Sequence, residues 1–216
     1  DWACLRPMSE FEYEKSCRGP NAAVVDEYSW GNTTLRAMGA ASIGGQEDGT
    51  EIAVGSPAPN CGYSTADLNT GDGVGGATAT TKRGPFRCGL FANVNTTTRL
   101  ETGASYYGVM ELTGNVWEWT MQATATSTFT RTTGDGYLST TGIANQGWPT
   151  GNTDLIPRGG SWASAATPQM MAVSDRRFKT LAYWNTATNW SASFGVAIGS
   201  NYTITRTSYF GGRGVR

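Results

Sequence analysis

Apolar residues are sparse and unevenly spaced along this chain, and their pattern predicts one helix, one aromatic strand and long polar loops. The helix runs from Met8 to Cys17. Ser9 can cap it, and Glu12 three residues later completes a capping box, in which each side chain satisfies a backbone N–H of the other residue. Glu14 and Arg18 stand four apart, which predicts modest support from an ion pair at the surface. Arg18-Gly19-Pro20 then ends the helix, because proline cannot continue the ladder and glycine suits the C-terminal turn.

From about Gly44 to Pro85 the residues are mostly Gly, Thr, Asn and Asp, with few apolar anchors. The segment reads as long surface loops, which a bound ion or a disulfide could hold. Asn69-Thr70-Gly71-Asp72-Gly73 is turn chemistry at high density. Ala104 to Trp119 reads differently. Trp117 and Trp119 alternate with Glu118, as expected of a strand with one buried face. Trp117, Trp119 and Trp162 are the expected core anchors. No linker divides the chain cleanly and no fixed-period repeat appears, so one domain over residues 1–216 is expected.

Composition sharpens this picture. Apolar residues make up 38% of the 216, while glycine alone contributes 29, a balance that points to an irregular fold rather than a helix bundle. Eight Trp, nine Tyr and seven Phe supply large anchors, so the chain is not disordered. A net charge of -1 without a Lys/Arg cluster gives no footprint for nucleic acid. No apolar stretch approaches the length of a membrane span, so direct membrane insertion is not expected. The cysteines are Cys4, Cys17, Cys61 and Cys88, none in a C-x-x-C pair, and there is no His. A zinc site of the usual type is therefore not expected. Cys17 reads as a small buried hydrophobe. Cys61 and Cys88 flank the Gly/Thr-rich loop and could close it as a disulfide, though spacing alone does not establish the geometry.

Several blocks together resemble a known family. Leu5 to Lys15 is similar to its Arg-Leu-Pro-Thr-Glu-Ala-Glu-Trp-Glu helix, and Trp30-Gly31-Asn32 matches its Trp-Gly-Asn signature. Tyr106-Tyr107-Gly108-Val109-Met110-Glu111-Leu112 leads into Gly114-Asn115-Val116-Trp117-Glu118-Trp119. Arg158-Gly159-Gly160-Ser161-Trp162 and the closing Gly211-Gly212-Arg213-Gly214-Val215-Arg216 complete the set. These blocks resemble the formylglycine-generating-enzyme, or sulfatase-modifying, family. The resemblance implies an α+β fold, the formylglycine-generating-enzyme subtype of the C-type lectin fold, loop-rich with few helices. It spans roughly residues 4 to 216 and leaves out the strand and helix that open the family's domain, so the chain is expected to start inside the fold.

The acidic pair Glu111 and Glu118 flanks the Gly114 turn, and a hard cation such as calcium wants several such oxygens. The resemblance implies a structural calcium held by the Glu111 and Glu118 side chains with the Gly114 and Val116 carbonyls. The plainer alternative is that Glu118 only accepts hydrogen bonds from neighbouring backbone. A second calcium site would map onto Asn60, Cys61, Asp72 and Val74, where Asn and Asp more often cap turns. The family's oxidase chemistry uses two cysteines that hold copper(I). Those positions are Ser164 and Gln169 here, and a hydroxyl and an amide cannot replace soft thiolates. A related branch holds iron with histidines, which this chain lacks. Neither copper nor iron is expected, nor is catalysis. A Ser164 nucleophile with Asp175 has no supporting spacing. The Glu-Pro-Asn and Gln-Pro-Asp triplets of sugar-binding lectins are also missing.

From Ala163 to Phe210, Thr, Ala, Ser, Asn and Tyr make up more than half of the residues, and Asp175 is the only acid. Small polar residues among Tyr and Trp suit a recognition surface, because the aromatics give area at low entropy cost. Thr-rich strands would give the same composition. Variable proteins of diversity-generating retroelements share this fold and place a mutable segment between Arg-Gly-Gly-Ser-Trp and a terminal Gly-x-Arg block. The palette here resembles what mutagenesis of adenines in Asn codons yields. Trp184, Trp190 and Lys179 cannot arise that way. Val173-Ser174-Asp175-Arg176 and Gly211 to Arg216 look like fixed flanks, with Arg158, Arg176 and Arg213 making structural hydrogen bonds. The expected ligand contacts are Ser164, Tyr183, Asn185, Thr186, Asn189, Ser191, Ser193, Tyr202, Thr203, Thr205, Ser208 and Tyr209. The resemblance thus implies a non-catalytic binding or display domain on a virion or cell surface, with a protein or cell-surface ligand as partner. Its rivals are an oxidase with displaced cysteines and a fixed structural or adhesive domain.

Overall fold

The computed structural model describes residues 4–38, 43–44, 48–63, 85–123, 135–142, 155–162, 168–176, 210–211 and 213–215. Its elements in order are β1 (Arg6–Pro7), α1 (Glu10–Arg18), β2 (Ile43–Gly44), β3 (Ile52–Ala53), α2 (Arg99–Thr102), β4 (Trp117–Met121), β5 (Leu155–Arg158), a 3-10 turn (Pro168–Met171), β6 (Phe210–Gly211) and β7 (Gly214–Val215). Few helices and short sheets make an α+β, loop-rich fold.

Helix α1 begins as its capping box dictates. The Ser9 side chain accepts from the Glu12 N–H and Glu12 reaches back to the Ser9 N–H at 2.8 Å. The same carboxylate takes a two-pronged contact from Arg6, at 2.6 and 2.7 Å. That Arg6 contact, working against partial burial, holds Glu12 down at about 2. The helix buries Glu10, Tyr13, Cys17 and Arg18 as one face. Tyr13 and Cys17 pack with Met8, Leu112 and Val173, and the Tyr13 hydroxyl donates to the Leu112 carbonyl at 2.6 Å. Glu14 and Arg18 do pair, but not on an open surface: Arg18 is buried and also meets Glu27 and Ser174.

Strand β4 is the centre of a three-stranded sheet in the order β5-β4-β6. It runs antiparallel to β5, with Glu118 opposite Arg158, and parallel to β6, with Glu118 opposite Gly211. The chain ends meet as well, since β1 pairs with β7 through Arg6 opposite Val215. The expected alternation on β4 is corrected here. Trp117 is buried, but so is Glu118, while Trp119 is only partly covered. Both faces are packed because the C-terminal chain returns over the Glu118 side.

Two further clusters lie in the described core. Tyr28, Trp30, Cys61, Tyr63 and Met171 form one, and Met38, Ile43, Ala53, Leu90 and Phe91 the other. The segment expected to be loop from Gly44 contributes to the latter, because β2 and β3 pair as a short antiparallel ribbon. Cys61 and Cys88 are both free. The disulfide considered for them does not form: Cys61 faces the aromatic cluster, whereas Cys88 is exposed. Cys17 is buried as expected.

The tandem glycines of the 158–162 block have a steric cause. Gly159 has φ +84°, and a Cβ there would stand 2.5 Å from the Leu112 carbonyl oxygen and 2.9 Å from the Tyr13 hydroxyl. Gly159→Ala should therefore cost about 2 kcal/mol or more, from left-handed strain plus a backbone clash. Thermal melting checks this, and an unchanged midpoint would show that the turn can move aside.

Candidate functional site

The turn between Glu111 and Glu118 is held in shape by backbone that only a few residues tolerate. Glu111, Gly114 and Asn115 have φ of +62°, +76° and +65°. Gly114 N–H donates to the Gly159 carbonyl and Asn115 N–H to the Gly62 carbonyl, each at 2.8 Å. The Asn115 amide clasps Phe86 on both sides, accepting from its N–H at 2.8 Å and donating to its carbonyl at 3.0 Å. Trp162 N–H closes the far side on the Asn115 carbonyl at 2.8 Å. Distant segments thus converge to aim two acidic side chains inward.

Those side chains are 5% (Glu111) and 2% (Glu118) exposed. Burial pushes the Glu111 carboxyl up to about 7, against the pull of the Gly89 N–H and Arg213, with the Glu118 charge adding to the rise. Burial likewise raises Glu118, opposed by Arg213. Arg213 Nε donates to Glu118 Oε1 at 2.6 Å and its Nη2 to the Met110 carbonyl at 2.7 Å. Among the described residues, Glu111 Oε1 and Glu118 Oε2 are buried without a hydrogen-bond partner. Two orphaned carboxylate oxygens are hard donors of the kind a calcium ion takes, so this pair fits such an ion. No group of three or more His, Cys, Asp or Glu side chains gathers among the described residues, so further ligands would have to be carbonyls or water. The alternative reading of Glu118, an acceptor from nearby backbone, gives way to an ion pair with a residue 95 positions away.

A second ionic centre lies under α1. Glu10 accepts from Arg158 Nη1, from Arg176 Nε and Nη2 at 2.7 and 2.6 Å, and from the Ala123 N–H at 2.8 Å. Arg158 is fully buried, lies 5.2 Å from the Tyr13 ring centroid, and also reaches Glu14 and the Val173 carbonyl. Burial would raise the Glu10 carboxyl, but Arg176, Ala123 and Arg158 outweigh it and hold it below its ordinary value. Arg158, Arg176 and Arg213 are thus the expected structural arginines, and their pairing with Glu10 and Glu118 was not read from sequence. An acid buried opposite an arginine leaves no local signal when its partner is 95 to 166 residues away.

The other sequence-derived sites are less engaged. Asn60 is buried, but its amide is committed: Oδ1 accepts from Arg36 N–H at 3.0 Å, and Nδ2 donates to the Leu100 and Thr34 carbonyls. Burial drives the Cys61 thiol well above its usual range, which leaves a protonated sulfur and no hard donor. Asp72 and Val74 lie outside the described residues, as do Ser164 and the remaining expected contact residues from Tyr183 to Tyr209. Gln169 is exposed on the 3-10 turn.

Residues 1–185 match the family described as the sulfatase-modifying factor enzyme 1-like domain. The chain belongs to that family. No curated protein and no solved structure matches it. Within the sulfatase-modifying factor enzyme 1-like domain, the matched stretch carries α1, β4, β5 and the 111–118 turn. The C-terminal β6 and β7 lie beyond the matched residues, yet they pair back onto β4 and β1 inside it.

Proposed function

We propose that this chain is a non-catalytic ligand-binding domain of the formylglycine-generating-enzyme subtype of the C-type lectin fold. In this reading it is the variable protein of a diversity-generating retroelement, displayed on a virion or cell, with residues 163–210 bearing the changeable contacts. The observation that carries it is the treatment of the two flanks. Within that segment residues 170–173 are packed into the frame and Arg176 is bound to buried Glu10, while past its end Arg213 is bound to buried Glu118. A segment anchored by such ion pairs can change its other side chains without changing the frame. Its small polar and aromatic composition suits recognition of a protein or cell-surface ligand.

The non-catalytic part rests on donor chemistry. The family's copper-binding positions carry Ser164 and Gln169, and the chain has no His. Cys17 and Cys61 sit in separate apolar clusters, and burial pushes the Cys17 thiol up to about 12, so neither offers a thiolate to soft copper(I). Calcium is the cofactor that suits the chain, with Glu111 and Glu118 as side-chain ligands and the Gly114 and Val116 carbonyls beside them. Its role would be to neutralise buried carboxylates and tie the turn.

The test is sequencing of the gene's 3′ end across its natural population, with the flanking DNA. Substitutions confined to template adenines in codons 163–210, beside a reverse-transcriptase gene, are the expected result. A uniform segment with no template repeat would overturn the retroelement reading. Copper(I) loading followed by a cysteine-peptide oxidation assay tests the rest: no turnover from the folded protein is expected, and turnover would restore the oxidase.

A further inference from the structure

The acidic pair of the 111–118 turn already has a positive partner, supplied by the far end of the chain. Arg213 holds one oxygen of Glu118 and the Met110 carbonyl, while Glu111 Oε1 and Glu118 Oε2 remain buried and unpartnered among the described residues. When both carboxyls are ionised, one guanidinium leaves a negative charge unmatched. Arg213 itself sits between β6 and β7, so its position is tied to the pairing of those strands with β4 and β1.

We infer that Arg213 is a built-in competitor for the divalent cation at this turn, holding Glu118 when no metal is bound and weakening metal binding by standing on the same carboxylate. The inference rests on the calcium reading proposed above. Its physical basis is like-charge repulsion at a largely buried site, where charges are less screened than at the surface. Calcium affinity follows the net charge of the ligand set, so a guanidinium at the site lowers it. Linkage makes the effect reciprocal: a bound cation loosens the hold of Glu118 on Arg213 by as much as Arg213 weakens the cation. Metal occupancy would then set how firmly the downstream flank of the binding segment is docked.

Titration calorimetry with calcium chloride on the whole chain, Arg213→Gln and Arg213→Lys tests this. Arg213→Gln should bind at least about tenfold more tightly than the unaltered chain, a difference of about 1.4 kcal/mol. Arg213→Lys, which keeps the charge, should bind like the unaltered chain. Binding by Arg213→Gln alone also supports the inference. Equal or weaker binding by Arg213→Gln overturns it while leaving the calcium reading intact, and no binding by any of the proteins removes both. If Arg213→Gln does not fold, hydrogen exchange of the Arg213 Nε–H in the unaltered chain decides: faster exchange at saturating calcium supports competition, and unchanged or slower exchange overturns it.

Discussion

Glu10→Gln is expected to destabilise the fold by about 3 kcal/mol, because it leaves fully buried Arg158 with only the partly exposed Glu14 as counter-charge. Arg158 is fully buried, and its Nη1 is satisfied by Glu10, as are Nε and Nη2 of Arg176. Neutralising the acceptor keeps its size but removes the one charge that the two arginines share, leaving Arg158 only Glu14. The midpoint of thermal unfolding should fall by roughly 6–12 °C for a chain of this length. Glu12→Gln is the control: its pair with Arg6 is partly exposed, so a much smaller loss is expected. Equal effects of the two variants would show that the buried centre has no special weight. The pH dependence follows the same contacts. The folded Glu10 carboxyl lies below its ordinary value of 4.5, so its contribution is present above that pH and is lost as pH falls through the folded value. Acid denaturation below pH 4.5 should accordingly be blunted in Glu10→Gln.

Glu111 works in the opposite direction. Its folded carboxyl is raised from 4.5 to about 7, so the fold favours the protonated form. The stability this gives is fully present below pH 4.5 and is lost as pH rises toward and through 7. The raised value corresponds to a loss on the order of 3 kcal/mol over that window. In chelator, melting should therefore occur at lower temperature at pH 8 than at pH 5, and Glu111→Gln should flatten the slope. With millimolar calcium the difference should shrink or reverse, because a cation stabilises the ionised pair and binding to the folded state raises its stability. A melting temperature in chelator that does not fall between pH 5 and 8 would show that the carboxyl ionises freely. An equal fall with and without calcium would count against the cation.

Local rules made part of this architecture legible. The Ser9–Glu12 box set the start of α1 within three residues, and the structure begins the helix at Glu10 as that cap requires. The aromatic block around Trp117 marked the strand. Where the reading failed, the cause was distance along the chain. The strand around Trp117 was expected to have one buried face, because alternation reports which residues share a face and not whether another segment covers the Glu118 side. Arg213, 95 residues on, covers it. Cys61 and Cys88 looked like partners because a loop joins them, but a side chain's direction is set by what packs around it, and Cys61 turns toward Tyr28, Trp30, Tyr63 and Met171.

The order of residues alone was enough for the family, the helix and its cap, and the aromatic strand. Each depends on neighbours a few residues apart or on the presence of a residue type. The two ionic centres were decided by folding, which brought Arg158 to Glu10 across 148 positions and Arg213 to Glu118 across 95. A charge can be buried only when its counter-charge arrives with it, and that arrival is a property of the assembled chain.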